Sequence, residues 1–136
     1  MSLVLDASLT VAWYFEGEGN AATDRVLDQV SIDGAMAPGV WTLEVANALL
    51  MAVRRKRIDG AYRDAALAEL ALLPIRIDAD TGSYAWNTTL RLAERFALTL
   101  YDATYLERAQ RRSLPLATLD RPLRQAAEAL QIRVLG

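Results

Sequence analysis

Short apolar runs and longer stretches of helical periodicity alternate along the chain. The first run, Leu3-Val4-Leu5, leads directly into an acid, Asp6, and is typical of a buried parallel strand. Four further strand-like runs cover residues 35–37, 75–77, 114–118 and 132–135. Because ligands collect beyond the carboxyl ends of the strands in open α/β sheets, we expect Asp6 at a functional edge.

Helical patterns fill the intervals between these runs. They cover residues 9–15, 21–30, 41–57, 59–73, 81–96 and 101–109, and a last helix opens at residues 120–122. The strongest pattern lies at 41–57, where Leu43, Ala46, Leu50 and Val53 form the apolar stripe of an amphipathic helix. The hydroxyl group of Ser8 is expected to cap the first helix.

The alternation of strands with helices predicts the fold class. No hairpin signal separates two strand-like runs, so the pattern predicts an α/β protein with a central, mainly parallel sheet and helices on both faces. The chain has 136 residues and is 53% hydrophobic, which is enough for one sizeable core. We therefore expect a single domain over residues 1–136.

Missing residue types narrow the possible chemistry. The sequence contains no cysteine and no histidine, which excludes disulfides, common zinc sites and Ser-His-Asp catalysis. A metal would have to be held by oxygen, which favours Mg²⁺ or Mn²⁺. No apolar run approaches the roughly 18 residues of a membrane span, and the N-terminus lacks a basic leader. The expected location is the cytoplasm, with no membrane partner.

The charge balance does not decide whether the chain binds nucleic acid. The formal net charge is −2, from 15 basic and 17 acidic residues, whereas a nucleic-acid binder is expected to carry a basic surface. Nearly all the basic residues are arginine, with Lys56 as the one lysine, and arginine suits bidentate contact with phosphate.

Four acids stand where a parallel sheet would bring them together. Asp6 and Asp120 follow strand-like runs, and Glu44 and Asp102 open helices, so all four can share one edge of the sheet. Each also has an ordinary structural explanation, as a helix cap or as a negative charge near a helix N-terminus. Two carboxylates ~4 Å apart repel by roughly 4 kcal/mol at an effective dielectric constant of 20. Such a cluster would need protons or divalent cations, and Mg²⁺ with activated water would give nuclease chemistry.

Four short motifs give the chain a family resemblance over nearly its whole length. They are Leu5-Asp6-Ala7-Ser8, Glu44-Val45-Ala46-Asn47-Ala48-Leu49, Tyr101-Asp102-Ala103-Thr104-Tyr105-Leu106 and Ala117-Thr118-Leu119-Asp120. In this order and spacing the sequence resembles PIN-domain ribonucleases, specifically the VapC-like toxins of type II toxin–antitoxin pairs. The resemblance implies a three-layer α/β/α fold, Mg²⁺- or Mn²⁺-dependent endoribonuclease activity, a homodimer, an RNA substrate and a cognate antitoxin.

The resemblance also assigns roles to residues of this chain. Asp6, Glu44, Asp102 and Asp120 match the family's acidic quartet, which implies both metal binding and catalysis. Asp6 and Asp102 match the direct ligands, while Glu44 and Asp120 would act through water or a second ion. Ser8, Asn47 and Thr118 match polar positions that the family has near these acids. Candidate RNA-binding arginines outside the acidic pocket are Arg54, Arg55, Arg57, Arg111 and Arg112.

Three alternatives remain beside the ribonuclease interpretation. A phosphatase with an aspartyl nucleophile would want a second acid where Ser8 stands, and a lysine in the C-terminal half. A signalling receiver domain would want paired acids after the first strand and a late lysine, and neither is present. A catalytically inactive PIN-like module that binds RNA or protein is the stronger rival, because sequence alone does not define the geometry of a metal site.

Overall fold

In this computed structural model, which describes residues 2–136, five short strands form one sheet in the order β3-β2-β1-β4-β5. The strands are β1 (Val4–Leu5), β2 (Ala35–Ala37), β3 (Ile75–Ile77), β4 (Leu116–Ala117) and β5 (Val134–Leu135). Every neighbouring pair is parallel, and Val4 of β1 lies opposite both Met36 and Leu116. The predicted α/β class with a mainly parallel sheet is confirmed, and the sheet is in fact wholly parallel.

Helices connect the strands and flank the sheet. They are α1 (Ala7–Ala12), α2 (Ala21–Asp33), α3 (Trp41–Arg54), α4 (Gly60–Leu72), α5 (Thr81–Tyr84), α6 (Leu90–Phe96), α7 (Leu100–Arg112) and α8 (Arg121–Ala129). A π-helical turn at Ala85–Thr89 joins α5 to α6. Local sequence accounts for several boundaries: Asn20 and Asp59 cap α2 and α4 with their side chains, and Gly34 ends α2 at a positive φ of 79°.

The core lies between the sheet and its helices. β1 is completely buried, and the inner faces of α3 and α7 pack in the same hydrophobic cluster. A parallel strand that is covered on both faces consists of consecutive apolar residues. The first strand can therefore be recognised in the sequence.

Two local predictions are wrong. Ser8 does not cap the first helix: Asp6 occupies the N-cap position, and the Ser8 hydroxyl donates to the Asp6 carboxylate instead of accepting a backbone N–H of the helix. The apolar stripe predicted for α3 does not face the core, since Leu43 is 72% exposed and Leu50 is 38% exposed. The buried face of α3 consists of Trp41, Val45, Leu49 and Ala52.

Among residues 2–136, none of the helices combines the length and the apolar character that crossing a membrane requires.

Candidate active site

The strand order places a crevice between the carboxyl ends of β1 and β4. The chain runs outward from β1 to β2 and β3, and then returns to add β4 and β5 on the other side of β1. The connections therefore diverge between β1 and β4, and ligands of open α/β sheets bind at such a topological switch point. Asp6 directly follows β1, and Thr118 directly follows β4.

Asp6 is fixed in this crevice by two hydroxyl groups. Ser8 Oγ donates to Asp6 Oδ2 over 2.6 Å, and Thr118 Oγ1 donates to the same oxygen over 2.7 Å. Neither hydroxyl occupies Oδ1. Burial raises the pKa of Asp6 to about 6, the two hydrogen bonds oppose that rise, and the charges of Asp102 and Glu44 add to it. Asp6 is therefore a buried acid that has no ion-pair partner among residues 2–136.

Glu44 projects from the first turn of α3, where a negative charge is favourable. Tyr105 Oη on α7 donates to Glu44 Oε1 over 2.5 Å. Burial raises the pKa of Glu44, the Tyr105 hydrogen bond lowers it, and the charge of Asp102 raises it again. Sequence patterns do not single out Tyr105 as part of a site. The available signal is that a buried phenol needs a hydrogen-bond partner.

Asp102 and Asp120 stand at helix starts on either side of β4. Thr99 caps α7 by accepting the Asp102 backbone N–H at 3.1 Å, which places the Asp102 side chain in the first turn. Burial and the charge of Asp120 raise the pKa of Asp102. Asp120 is the N-cap of α8: Oδ2 accepts the Leu123 N–H at 3.0 Å. The structural explanation of Asp120 as a cap is thus correct, and it leaves Oδ1 for other partners.

All four acids line one pocket of about 210 Å³. Its lining is Asp6, Ala7, Ser8, Val11, Glu44, Ala48, Asp102 and Asp120. No basic side chain belongs to this set of described residues, so the negative charge is not balanced within the pocket. A larger depression, of about 580 Å³, lies at the opposite edge of the sheet beside Gly34 and Pro74, but it contains no comparable group of acids.

The donor chemistry fits a hard divalent cation, although the acids do not surround one point. Their oxygens are the ligands that Mg²⁺ and Mn²⁺ prefer. Burial and neighbouring negative charge raise the pKa values of Asp6, Glu44 and Asp102, and a cation would relieve this destabilisation of their ionised forms. Across residues 2–136, however, no three acidic side chains stand close enough together to hold a single ion. The pocket thus contains carboxylates suited to a divalent cation, but they are spaced apart and do not surround one ion.

The remaining residues predicted for the site are more widely spread. Asn47 is exposed and does not line the pocket. Arg57 pairs with Glu18 and stacks over an aromatic ring, and Arg111 is held in buried ion pairs. The exposed arginines among the RNA-binding candidates are Arg54, Arg55, Arg57 and Arg112.

Fold and pocket together define a class of protein: a parallel α/β protein with an acidic pocket at the switch point of its sheet. The sequence profile of the PIN domain family matches residues 3–129. The chain therefore belongs to the PIN domain family, and the family resemblance seen in its motifs is confirmed. No curated protein shows significant sequence similarity to it.

Several solved structures share this fold. PAE2754 from Pyrobaculum aerophilum is 24% identical with a TM-score of 0.71, and the alignment covers 98% of this chain and 83% of that protein. VapC20 from Mycobacterium tuberculosis, a sarcin–ricin loop cleaving toxin, is 20% identical with a TM-score of 0.62, covering 91% and 94%. FitAcB from Neisseria gonorrhoeae is 15% identical with a TM-score of 0.66, covering 100% and 97%.

Proposed function

We propose that this protein is an Mg²⁺- or Mn²⁺-dependent endoribonuclease and the toxin of a toxin–antitoxin pair. The observation that carries the proposal is a pocket at the switch point of a PIN fold, whose described lining contains four carboxylates and no basic side chain. An acidic pocket left without internal compensation is suited to recruit a divalent cation together with a phosphate substrate.

Each acid has a distinct part in this proposal. Asp6 and Asp102 are the direct metal ligands, and the hydrogen bonds from Ser8 and Thr118 keep Asp6 in one rotamer with Oδ1 available. Glu44 and Asp120 complete the site through water or a second ion. A bound Mg²⁺ or Mn²⁺ supplies a water of lowered pKa and stabilises charge on the phosphate oxygens.

Arginines outside the pocket hold the RNA backbone. Arg54, Arg55 and Arg112 are exposed and suited to this role. Arg57 and Arg111 also belong to the predicted set, but Arg57 is paired with Glu18 and Arg111 is bound within the protein. We therefore rank these two behind the first three as contacts for RNA.

Partners and location follow from the family resemblance. The fold is shared with VapC20, described as a cleaving toxin, and with a toxin–antitoxin complex from Klebsiella pneumoniae at a TM-score of 0.55 and 15% identity. On this basis we propose a cognate antitoxin, a homodimer, a single domain over residues 1–136, and a cytoplasmic location.

The direct test is cleavage of a mixed RNA pool by purified protein stripped of co-purifying protein. Cleavage should require Mg²⁺ or Mn²⁺, stop with EDTA, and fall at least about 1,000-fold in Asp6→Asn and Asp102→Asn. Asp64→Asn, on the exposed surface of α4, is the matched control and should cleave like the wild type. Metal-independent cleavage, or equal activity in Asp6→Asn, would refute the assigned site.

One observation favours a second candidate, a catalytically inactive PIN-like module that binds RNA or protein. Within the described residues the acids do not converge on a common point, so binding of one ion requires the side chains to reorient. Calorimetric titration with Mn²⁺ separates the two candidates. Binding that is lost in Asp6→Asn supports the enzyme, whereas a folded protein that binds no Mn²⁺ supports the binding module.

A further inference from the structure

Tyr101 stands at the edge of the acidic pocket with its ring in solvent. It is the second residue of α7 and directly precedes Asp102, which lines the pocket. Its side chain is 60% exposed. A single exposed ring is common on a protein surface, so the position of this ring relative to the pocket decides what it can contact.

The face of α7 that carries Tyr101 also reaches into the pocket. Tyr105 lies four residues further along, and residues at this spacing are neighbours on the same face of a helix. Tyr105 is fully buried, and its hydroxyl group donates to Glu44 in the pocket. Tyr101 is one turn, about 5.4 Å, closer to the start of the helix. Its exposed ring therefore lies on the solvent side of the contact between Tyr105 and Glu44.

Arg121 occupies a matching position beside another acid of the pocket. It is exposed and is the first residue of α8, directly after Asp120. The helix dipole disfavours a positive charge at the start of a helix. Among residues 2–136, Arg121 forms no ion pair that would offset this cost. Its guanidinium group is therefore available to bind a phosphate at the edge of the pocket.

Tyr101 and Arg121 flank the same pair of carboxylates. Burial and the charge of Asp120 raise the pKa of Asp102, so these two acids are close enough to interact. Tyr101 and Arg121 each lie one residue from one of them, on helices α7 and α8, which pack together. An RNA strand whose phosphate lies over Asp102 and Asp120 would therefore have an aromatic ring and a guanidinium group beside it.

We propose that Tyr101 and Arg121 form a substrate-binding rim, in which the ring stacks on an unpaired RNA base and the guanidinium group binds a neighbouring phosphate. Stacking accepts any base, since every base has a π face. Bases inside an A-form duplex are covered by their neighbours, so the rim selects RNA with an unpaired nucleotide beside the pocket. The identity of the ligand as substrate rests on the proposed function, whereas binding at the rim does not require cleavage.

Binding of a short RNA tests the stacking contact without cleavage. The probe is a labelled oligouridine of about 12 nucleotides, followed by fluorescence anisotropy with Asp6→Asn protein in EDTA. In this background Tyr101→Ala should raise Kd at least about fivefold, and Tyr101→Phe, which keeps the ring, should not. Trp86→Ala is the matched control, because Trp86 is 92% exposed near the far end of α7, where Arg111 stacks over Tyr84. An unchanged Kd in Tyr101→Ala overturns the stacking contact.

The salt dependence of the same binding tests the arginine contact. Each phosphate of a single strand that a protein neutralises adds about 0.7 to the slope of log Kd against log salt. Arg121→Ala should therefore lower the slope by about 0.7, while Tyr101→Ala should leave it unchanged. Arg133→Ala is the matched control, because Arg133 is exposed and precedes β5, at the opposite edge of the sheet. An unchanged slope in Arg121→Ala overturns the phosphate contact.

A duplex probe tests the requirement for an unpaired base. When the oligouridine is annealed to oligoadenosine, its bases are stacked within the helix and no longer available to the ring. Tyr101→Ala should then leave Kd unchanged, in contrast to its effect with the single strand. Equal losses with the two probes would overturn stacking as the role of Tyr101.

Cleavage assays separate a failure of the rim from a failure of the proposed function. If the wild type cleaves RNA, and Tyr101→Ala and Arg121→Ala keep its kcat and KM, the rim is wrong and the enzyme stands. If the wild type cleaves no RNA but the binding effects appear, the enzyme is wrong and the rim stands. Protein that binds no probe overturns the rim in either case, including the case of a surface that binds a protein instead. Circular dichroism verifies that each variant is folded.

Discussion

Replacing Asp6 with asparagine should make the metal-free protein more stable at neutral pH while removing its proposed activity. Asp6 is only 4% exposed, and its hydrogen bonds come from neutral hydroxyls of Ser8 and Thr118. Of the residues that the structure describes, no basic side chain lines the pocket to offset its charge. Asparagine has nearly the same shape and keeps an oxygen for both hydroxyls, so the substitution removes the charge with little change in packing.

The size of the effect follows from the pKa of Asp6. The pKa of Asp6 rises from 3.8 to about 6 on folding. Ionising Asp6 at neutral pH therefore lowers the free energy of unfolding by about 3 kcal/mol, relative to the protein with Asp6 protonated. Because the folded chain holds this proton more tightly than the unfolded chain, the contribution favours folding at low pH. It is fully present below about pH 4 and is lost as the pH rises through about 6. For a chain of 136 residues, 3 kcal/mol is a shift in Tm on the order of 10 °C.

The assay is urea unfolding in EDTA at pH 4.0, 5.0, 6.0 and 7.5, with Asp64→Asn as a control for a surface charge. The free energy of unfolding of Asp6→Asn should be close to that of the wild type at the lowest pH. Its advantage in this free energy should grow to the full value at the highest pH. Added Mn²⁺ at about 100 times its dissociation constant should stabilise the wild type alone, by about 2.7 kcal/mol. An advantage that is absent at pH 7.5, or equal at every pH, would refute the account of an uncompensated buried acid.

Three further substitutions test the contacts around the acids. Thr118→Val should lower the free energy of unfolding in urea by about 1–2 kcal/mol, because it removes two hydrogen bonds. It should also raise the pKa of Asp6 further, so Mn²⁺ binding measured by calorimetry should weaken most below neutral pH. Tyr105→Phe removes a hydrogen bond that lowers the pKa of Glu44, so the pH–rate profile for RNA cleavage should lose more activity at pH 6 than at pH 8. Arg111→Met should destabilise the protein by about 3–5 kcal/mol in urea unfolding, because buried Glu107 loses its ion pair and buried Asp78 keeps only the longer one with Arg108, while Mn²⁺ affinity stays unchanged.

The sequence predicts the fold well because the sheet is parallel and its central strand is buried. All five predicted strands are present: four are short apolar runs, and β3 alternates Ile75, Arg76 and Ile77. The edge on which Asp6 and Asp120 meet also follows from topology, since parallel strands end on the same side. That these acids bind metal stays a prediction, because topology determines which residues are neighbours and not the separation of their oxygen atoms.

The periodicity of α3 does not determine which side of the helix faces the core. The helix has two apolar stripes, one with Leu43 and Leu50 and one with Val45 and Leu49, and both have helical spacing. Spacing identifies a helix, but the choice between two apolar faces depends on packing against elements far away in sequence. Here the stripe with Leu43 and Leu50 faces outward. An error of this kind is informative, because an apolar face that the monomer leaves in water is a candidate for assembly.

Within residues 2–136, acidic side chains are buried in two places, and ion pairs compensate their charge in only one of them. Beside β3, Asp78 and Glu107 are buried with Arg111, which binds both at 2.5 and 2.8 Å. Burial alone would raise the pKa of Asp78, but hydrogen bonds from the Asp80 N–H and from Arg111 hold it below its usual range. At the switch point, the described residues give the Asp6 side chain only hydroxyl partners, and its pKa is raised. The structural cluster supplies its own cations, whereas the acids of the pocket stay unpaired at a cost in stability, and this contrast supports the proposal that the pocket receives a divalent cation from outside.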